Sequence, residues 1–355
     1  MSVRAVSLLP SGTELLCALG VRPVGRSHEC DFPPGLEEVP VLTSARIGPL
    51  PSSQAIDRAV RDVLEDALAI YDIDVERLRA ARPQVIVTQD LCEVCAVSLD
   101  DVRSAVARLA GQDVAIVSLH PTRLEDLFGD LQRVAAALDA ASATHAPSAQ
   151  STPSAPSAHS AQSASSAQST PSAQAAPSAQ SAPLAQSEPS GSPDFSGRAR
   201  LLVAGLRARV ADLARRAAAL PRRPRVLTIE WISPVMIGGL WMPELVTLAG
   251  GEPLVTRPGE HAPTLDRDAL AALDPDVVLV KPCGFSLPRT LEELDVLRAA
   301  LPNSWRARLY ATDGNAYFNR SGPRLVESLE ILAACVHPEA FPDFALKHAS
   351  SLAPL

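Results

Sequence analysis

Aromatic residues are scarce, at 4% of a 355-residue chain with only three Trp and three Tyr, so each ring has to be located. Long apolar runs are missing too. None reaches the roughly 20 residues that a membrane-spanning helix requires, so no membrane insertion is read. Runs of Lys and Arg are absent and the formal net charge is −8. That balance argues against a nucleic-acid partner, because phosphate binding needs a concentrated basic face. No Gly-rich phosphate loop follows the first strand-like run, which leads into Pro10-Ser11-Gly12 instead. Neither a G-x-S-x-G elbow nor a metalloprotease helix signature occurs, and the chain is read as a non-enzyme. There is also no space ahead of Val3–Leu9 for the charged, apolar and cleavage regions of a secretion signal, and a cytoplasmic protein is expected. Six cysteines in a chain of this length make no disulfide scaffold, which leaves thiols available to bind metal.

What is there begins with a compositional break. Residues 142–197 are built of Ser, Ala, Pro and Gln in units such as Pro-Ser-Ala-Gln, with Leu184 and Phe195 as the large apolar residues. Such a tract buries too little to offset the entropy of ordering it and reads as a disordered insertion. Five segments follow: an N-terminal α/β lobe over 1–141, the insertion, a long helix over 198–222, a C-terminal α/β lobe over 223–340 and a tail over 341–355. Each lobe alternates strand and helix, which predicts mostly parallel sheets. Strands are expected at Val3–Leu9, Pro23–Ser27, Val39–Thr43, Val85–Thr88 and Asp113–Leu119, then at Arg225–Trp231, Asp276–Lys281 and Arg308–Thr312. Helices are expected at Ser53–Ala69, Val75–Ala81, Leu99–Leu109 and, periodic throughout, Arg198–Ala219. Ser11-Gly12-Thr13-Glu14 and Thr122-Arg123-Leu124-Glu125 read as capping boxes. Leu78–Cys92 and Leu270–Cys283 share a plan of helix end, proline, apolar strand, polar step and cysteine. Two similar lobes would produce that repeat, and so would chance.

Ligands of open parallel sheets sit at the carboxyl ends of the strands. The unusual clusters fall there: His28-Glu29-Cys30-Asp31-Phe32, Gln89-Asp90-Leu91-Cys92-Glu93-Val94-Cys95, Glu230-Trp231, Gly239-Leu240-Trp241, Pro282-Cys283-Gly284-Phe285 and Tyr317-Phe318-Asn319-Arg320. Trp231, Trp241, Phe285, Tyr317 and Phe318 would grip a flat, partly apolar ligand, with core packing as their other use. Arg320 would bind a ligand carboxylate or amide, or cap its own loop. His28, Cys30, Cys92 and Cys95, read as leaving adjacent strand ends, would supply four N/S ligands to zinc, another soft transition metal or a cobalt chelate. Inert packed thiols and a redox Cys-x-x-Cys remain the alternatives.

Ser7-Leu8-Leu9-Pro10-Ser11-x-Thr13-Glu14, His28-Glu29-Cys30-Asp31-Phe32-Pro33 and the segment after Pro275 together resemble the periplasmic-binding-protein family for vitamin B12 and iron–siderophores. Gln89–Ala96, Glu230–Pro234, Trp241–Glu244 and Asp313–Arg324 look like a branch of it that lacks a signal peptide and is described as cobalamin-binding. The resemblance covers nearly the whole chain outside the insertion. It implies two Rossmann-like lobes bridged by one long α-helix, a ligand cleft between them, and a metal chelate such as cobalamin as the ligand. By motif position Phe32 resembles a cleft aromatic of the first lobe, and Tyr317, Phe318 and Arg320 the aromatic–Arg segment of the second. Glu76 and Asp268 stand where transport-linked members present acids to a permease. Leu240 departs from the branch, in which His is expected.

Overall fold

The computed structural model describes residues 3–65, 71–90, 99–107, 114–144 and 193–355. The first lobe runs β1 (Ala5–Ser7), α1 (Pro10–Ala18), β2 (Gly25–Arg26), β3 (Thr43–Ala45), α2 (Ser53–Glu65), β4 (Tyr71–Ile73), α3 (Val75–Ala81), β5 (Val85–Gln89), α4 (Leu99–Ala107), β6 (Ala115–Leu119) and α5 (Leu124–Thr144). A long helix, α6 (Phe195–Ala218), follows. The second lobe runs β7 (Arg225–Trp231), β8 (Met236–Ile237), α7 (Met242–Leu248), β9 (Glu252–Pro253), α8 (Arg267–Ala271), β10 (Val277–Val280), α9 (Leu287–Glu292), α10 (Leu294–Ala300) and β11 (Arg308–Thr312). It then closes with a π-helical turn (Gly314–Phe318), α11 (Leu325–Val336), α12 (Pro342–Lys347) and β12 (Leu352–Pro354).

The two sheets share one plan. In the first lobe the order is β2-β1-β5-β6, all parallel. In the second, β9-β7-β10-β11 repeats that parallel order, with β12 and β8 added antiparallel. The repeat seen in sequence therefore falls on equivalent strands: β5 and β10 each lie inside their sheet, each preceded by a helix and a proline. Alternation along them explains the layering. Val85 and Val87 of β5, with Val277 and Leu279 of β10, belong to one core that runs through both lobes. Ile86 packs into a second core and Val278 and Val280 into a third, each confined to one lobe.

Helix α6 joins the lobes because its apolar stripe is continuous. Ala199, Val203, Leu206, Leu213 and Ala217 are all buried at spacings of three, four and seven, which place them on one face. Its 24 residues span roughly 36 Å at 1.5 Å per residue. It packs on α5 of the first lobe and on α7 and α11 of the second. It begins three residues before the expected Arg198, because Asp194 caps it through Gly197 N.

Several local expectations are corrected. Ser11 and Glu14 form no capping box: Pro10 opens α1, Leu9 stands at the N-cap without a side-chain bond, and Ser11 lies inside the helix. Gly20 does end it, at φ +82°, with Gly20 N bonded to Cys17 O and Val21 N to Leu16 O in the Schellman arrangement. In the second motif Asp126, not Glu125, accepts from Thr122 N, Thr122 Oγ1 and Arg123 N, while Glu125 pairs with Arg207 of α6. The strand expected at Val39–Thr43 is a single bridge at Val41, and pairing starts at Thr43, antiparallel to β4. The insertion read over 142–197 is narrowed at both edges, since residues 142–144 belong to α5 and 195–197 to α6; residues 145–192 lie outside the described residues.

Candidate functional site

Strands β1, β5, β7, β10 and β11 end toward the space between the lobes, and their following loops wall it. Two adjoining cavities of about 400 and 390 Å³ lie there, sharing Ile56, Val60, Gln89, Trp231, Cys283 and Asn319. Gln89 ends β5 and Trp231 ends β7. Cys283 follows β10, and its N–H donates to Glu230 O at 3.0 Å. Helix α2 leans over the space with Ile56 and Val60 on its inner side. Its first turn is tied to the opposite lobe, where buried Glu293 accepts from Ser53 N at 2.7 Å and from Ser53 Oγ. Arg289 holds Glu293 from behind at 2.7 Å.

The apolar wall is largely aromatic. Trp231 is half-buried and meets Phe285 at 5.3 Å between ring centroids, in a tilted pair. Its indole N–H is buried without a protein partner. Trp241 lies deeper, and its Nε1 donates to Phe318 O at 3.1 Å. Beneath these rings a buried ion pair forms the floor. Lys281 is 1% exposed, and its Nζ donates to Glu230 Oε2 at 2.9 Å and to Asn319 Oδ1 at 3.0 Å. Asn319 is fixed in turn, donating to Lys281 O at 2.9 Å and Gly314 O at 3.0 Å. Among the described residues, every cation lining the two cavities has a carboxylate partner: Arg61 with Asp57, Lys281 with Glu230 and Arg320 with Asp31.

One end of the cleft is closed by a clasp between the lobes. Arg320 reaches Asp31 with both terminal nitrogens, at 2.5 and 3.0 Å, and Asn315 at 2.8 Å. Arg324 holds Glu14 at 2.6 and 3.1 Å and lies 3.8 Å from the Phe32 ring centroid. Burial tends to raise both acids. For Asp31 the hydrogen bond and charge of Arg320 outweigh it and hold the carboxyl below its ordinary range. For Glu14 burial wins over Arg324, and its pKa is raised.

Of the residues singled out in the sequence, Trp231, Trp241, Cys283, Phe285 and Arg320 line the cavities. Leu240, standing where His was expected, lines the larger one. Phe318 does not line them; it is fully buried core. Tyr317 lies half-buried against His348 and Arg324, and Phe32 lies under Arg324. Cys92, Glu93 and Cys95 are outside the described residues.

The four-ligand metal reading is corrected where it can be seen. His28 follows β2 and Cys92 follows β5, but β1 lies between those strands, which separates their ends by about 10 Å. His28 Nδ1 is 2.7 Å from Thr43 Oγ1 and its ring leans on Tyr71. Cys30 is buried elsewhere, its sulfur accepting from Thr13 Oγ1 at 3.0 Å. Burial pushes the Cys30 thiol up to about 11, away from the thiolate a soft metal binds. Among the described residues no group of three or more His, Cys, Asp and Glu is placed to hold a metal ion, and zinc has no support.

Gln89 and Asn319 fell within clusters read at strand ends but were not singled out as site residues, and Lys281 and α2 were not read as part of the site at all. Lys281 closes an apolar strand and Asn319 sits between Phe318 and Arg320, so neither carried a pattern. The signal that could have found Gln89 is its place at a strand end equivalent to that of Lys281.

Compared with models of known protein families the chain matches none, and compared with characterised protein sequences it matches none. Solved structures do resemble it. A periplasmic heme-binding protein from Pseudomonas aeruginosa is 18% identical, over 100% of this chain and 95% of that one, with a TM-score of 0.58. A periplasmic heme-binding protein from Roseiflexus is also 18% identical, over 97% and 100%, with a TM-score of 0.58. The periplasmic vitamin B12-binding protein of Vibrio cholerae is 14% identical, over 94% and 96%, with a TM-score of 0.55. At such identities the likeness establishes the fold: two α/β lobes flanking a cleft. The resemblance seen in the sequence thus holds at that level. The cytoplasmic expectation is overturned by the same finding, since these proteins are periplasmic, which points outside the cytoplasm.

Proposed function

We propose that this chain, which has the fold of periplasmic substrate-binding proteins, is an extracytoplasmic binding protein rather than an enzyme, and that its cleft takes a metal chelate of the corrinoid type. The observation that carries the reading is the cleft itself: two joined cavities at the strand ends, walled by Trp231, Trp241 and Phe285 from one lobe and by Gln89 and α2 from the other. A flat macrocycle with apolar faces suits such walls, because rings give contact area at little entropic cost. Heme-binding and B12-binding proteins both share the fold. Between those two ligands, charge favours the corrinoid. Heme carries carboxylates that need an available cation, and each lining cation among the described residues is already paired, whereas a corrinoid's periphery is made largely of neutral amides.

Transport would add a permease as partner. Glu76 and Asp268 support that role, because each is exposed in the first turn of the helix that feeds the equivalent inner strand of its lobe. The decisive experiment is a titration with cobalamin and with heme, following tryptophan fluorescence. Micromolar binding of cobalamin is expected. Binding of neither ligand at that concentration defeats the reading.

A further inference from the structure

Two polar groups in the cleft have bonding capacity that the protein leaves unused. Gln89 is 8% exposed, lines both cavities, and its amide bonds to no other side chain or backbone group among the described residues. Glu230, across from it, receives Lys281 Nζ and Gly239 N on Oε2 alone, so Oε1 keeps its lone pairs. Both residues line the larger cavity, so these sites are open to a partner that enters it. The partner is constrained further by Lys281. Without Glu230 that buried ammonium would attract any anion entering the larger cavity. With Glu230 beside it the pair has no net charge, and Oε1, which takes no donor among the described residues, is a carboxylate oxygen that repels anions and accepts N–H.

We infer that Glu230 is the specificity-determining residue of the cleft: with Gln89 opposite, it selects ligands whose periphery carries primary amides and rejects those carrying carboxylates. An amide can give an N–H to Glu230 Oε1 and exchange a second bond with the Gln89 amide. A carboxylate offers Glu230 no donor and brings a like charge into an enclosed site, where repulsion is weakly screened. Lys281, itself held by Asn319, acts through Glu230 by fixing the orientation of its carboxylate. The inference rests on the assignment of the cleft as the ligand site, and it does not require that the ligand be a corrinoid.

The test uses matched probes small enough for one cavity, 2-naphthamide and 2-naphthoate, beside cobalamin and heme, with tryptophan fluorescence as the readout. Wild type is expected to bind naphthamide at least tenfold better than naphthoate. Glu230→Gln removes the carboxylate beside Lys281 and with it the repulsion of anions, so naphthoate and heme should gain at least tenfold relative to their amide counterparts. The double variant Glu230→Gln/Lys281→Met removes the cation as well, and that gain should vanish, an effect that loosened packing does not produce. Gln89→Leu breaks no hydrogen bond among the described residues and carries the test if Glu230→Gln does not fold. It should weaken naphthamide several-fold and leave naphthoate where it was. Equal acid-to-amide ratios in wild type and Glu230→Gln overturn the inference, as does equal weakening of both probes by Gln89→Leu or binding of neither probe to any variant. If the naphthyl probes behave as expected while cobalamin and heme both fail to bind, the corrinoid reading falls and the selection by Glu230 stands.

Discussion

Trp231 sits where the two cavities meet, half-buried, with one face toward Phe285 and its indole N–H unmatched by protein. A ring so placed contributes to a ligand more than to the fold. Trp231→Ala should cost about 1–3 kcal/mol of binding, the scale of one large apolar side chain, or roughly ten- to a hundredfold in Kd. A titration showing less than a twofold change would remove Trp231 from the contact surface. Trp241 should behave differently. It is 8% exposed and bonded through its ring nitrogen to Phe318 O, so Trp241→Ala opens a core cavity and should lower folding stability by about 3–5 kcal/mol. Chemical denaturation separates the two cases. Scarcity made these rings conspicuous in the sequence, yet it could not tell a wall from a core, which is why Phe318 was grouped with them. Polar site residues had no comparable signal. Gln89 and Lys281 become meaningful only when two strand ends distant in sequence face one another.

Short elements with strong internal preference matched the structure closely: Val75–Ala81, Arg225–Trp231 and Arg308–Thr312 fall at the bounds read from the sequence. Elements decided by tertiary partners did not. Glu14 has the spacing of a capping-box acid, but its partner is Arg324, 310 residues away, and spacing alone cannot separate the two uses. Strand β4 was missed because three residues pairing with another three carry no period. The joint between α6, α11 and the C-terminal segment is likewise tertiary. Glu330 of α11 receives Arg209 of α6 at 2.7 Å, Lys347 at 2.6 Å and His348 at 2.9 Å. Burial opposes its charge, but these three donors prevail and lower its pKa to about 2. A depressed carboxylate stabilises the fold above its unfolded pKa, near 4.3, and that contribution is lost as pH falls through the folded value. Stability of the wild type should therefore drop between about pH 5 and 2, with a shallower slope in Glu330→Gln. That variant should also be about 2 kcal/mol less stable at neutral pH, the order of hydrogen bonds to a charged group. Urea denaturation at several pH values checks both. Parallel profiles for the two proteins would assign the acid loss elsewhere.

At the scale of the whole molecule, the lobes are held by a shared core, by α6 and by polar ties between them: Arg320–Asp31, Arg324–Glu14, Glu293–Ser53 and Glu244, which accepts from Leu124 N at 3.0 Å. None of these ties draws on residues 145–192, whose composition gives them little to bury. The flanks of that segment are joined directly. Asp139 of α5 accepts from Phe195 N at 2.9 Å and from Ser196 N at 3.0 Å, which caps α6. Helix α5 ends at Thr144, five residues or about 7.5 Å beyond that contact, so a short linker can span the gap. The cost of closing a loop also grows only slowly with its length, and a shorter connection carries no entropic penalty. Replacing residues 145–192 with a short Gly-Ser linker should therefore shift Tm by less than about 1 °C, under the change of about 2 °C expected from 1 kcal/mol in a protein of this size. Ligand affinity should stay within about twofold, a small fraction of a kcal/mol. Asp139→Ala should do more damage than the whole deletion, about 1 kcal/mol for the loss of a helix cap. Calorimetry of the three proteins decides between the two outcomes. A deletion that costs more than the single substitution would mean that the tract packs on the lobes and that its composition was the wrong guide.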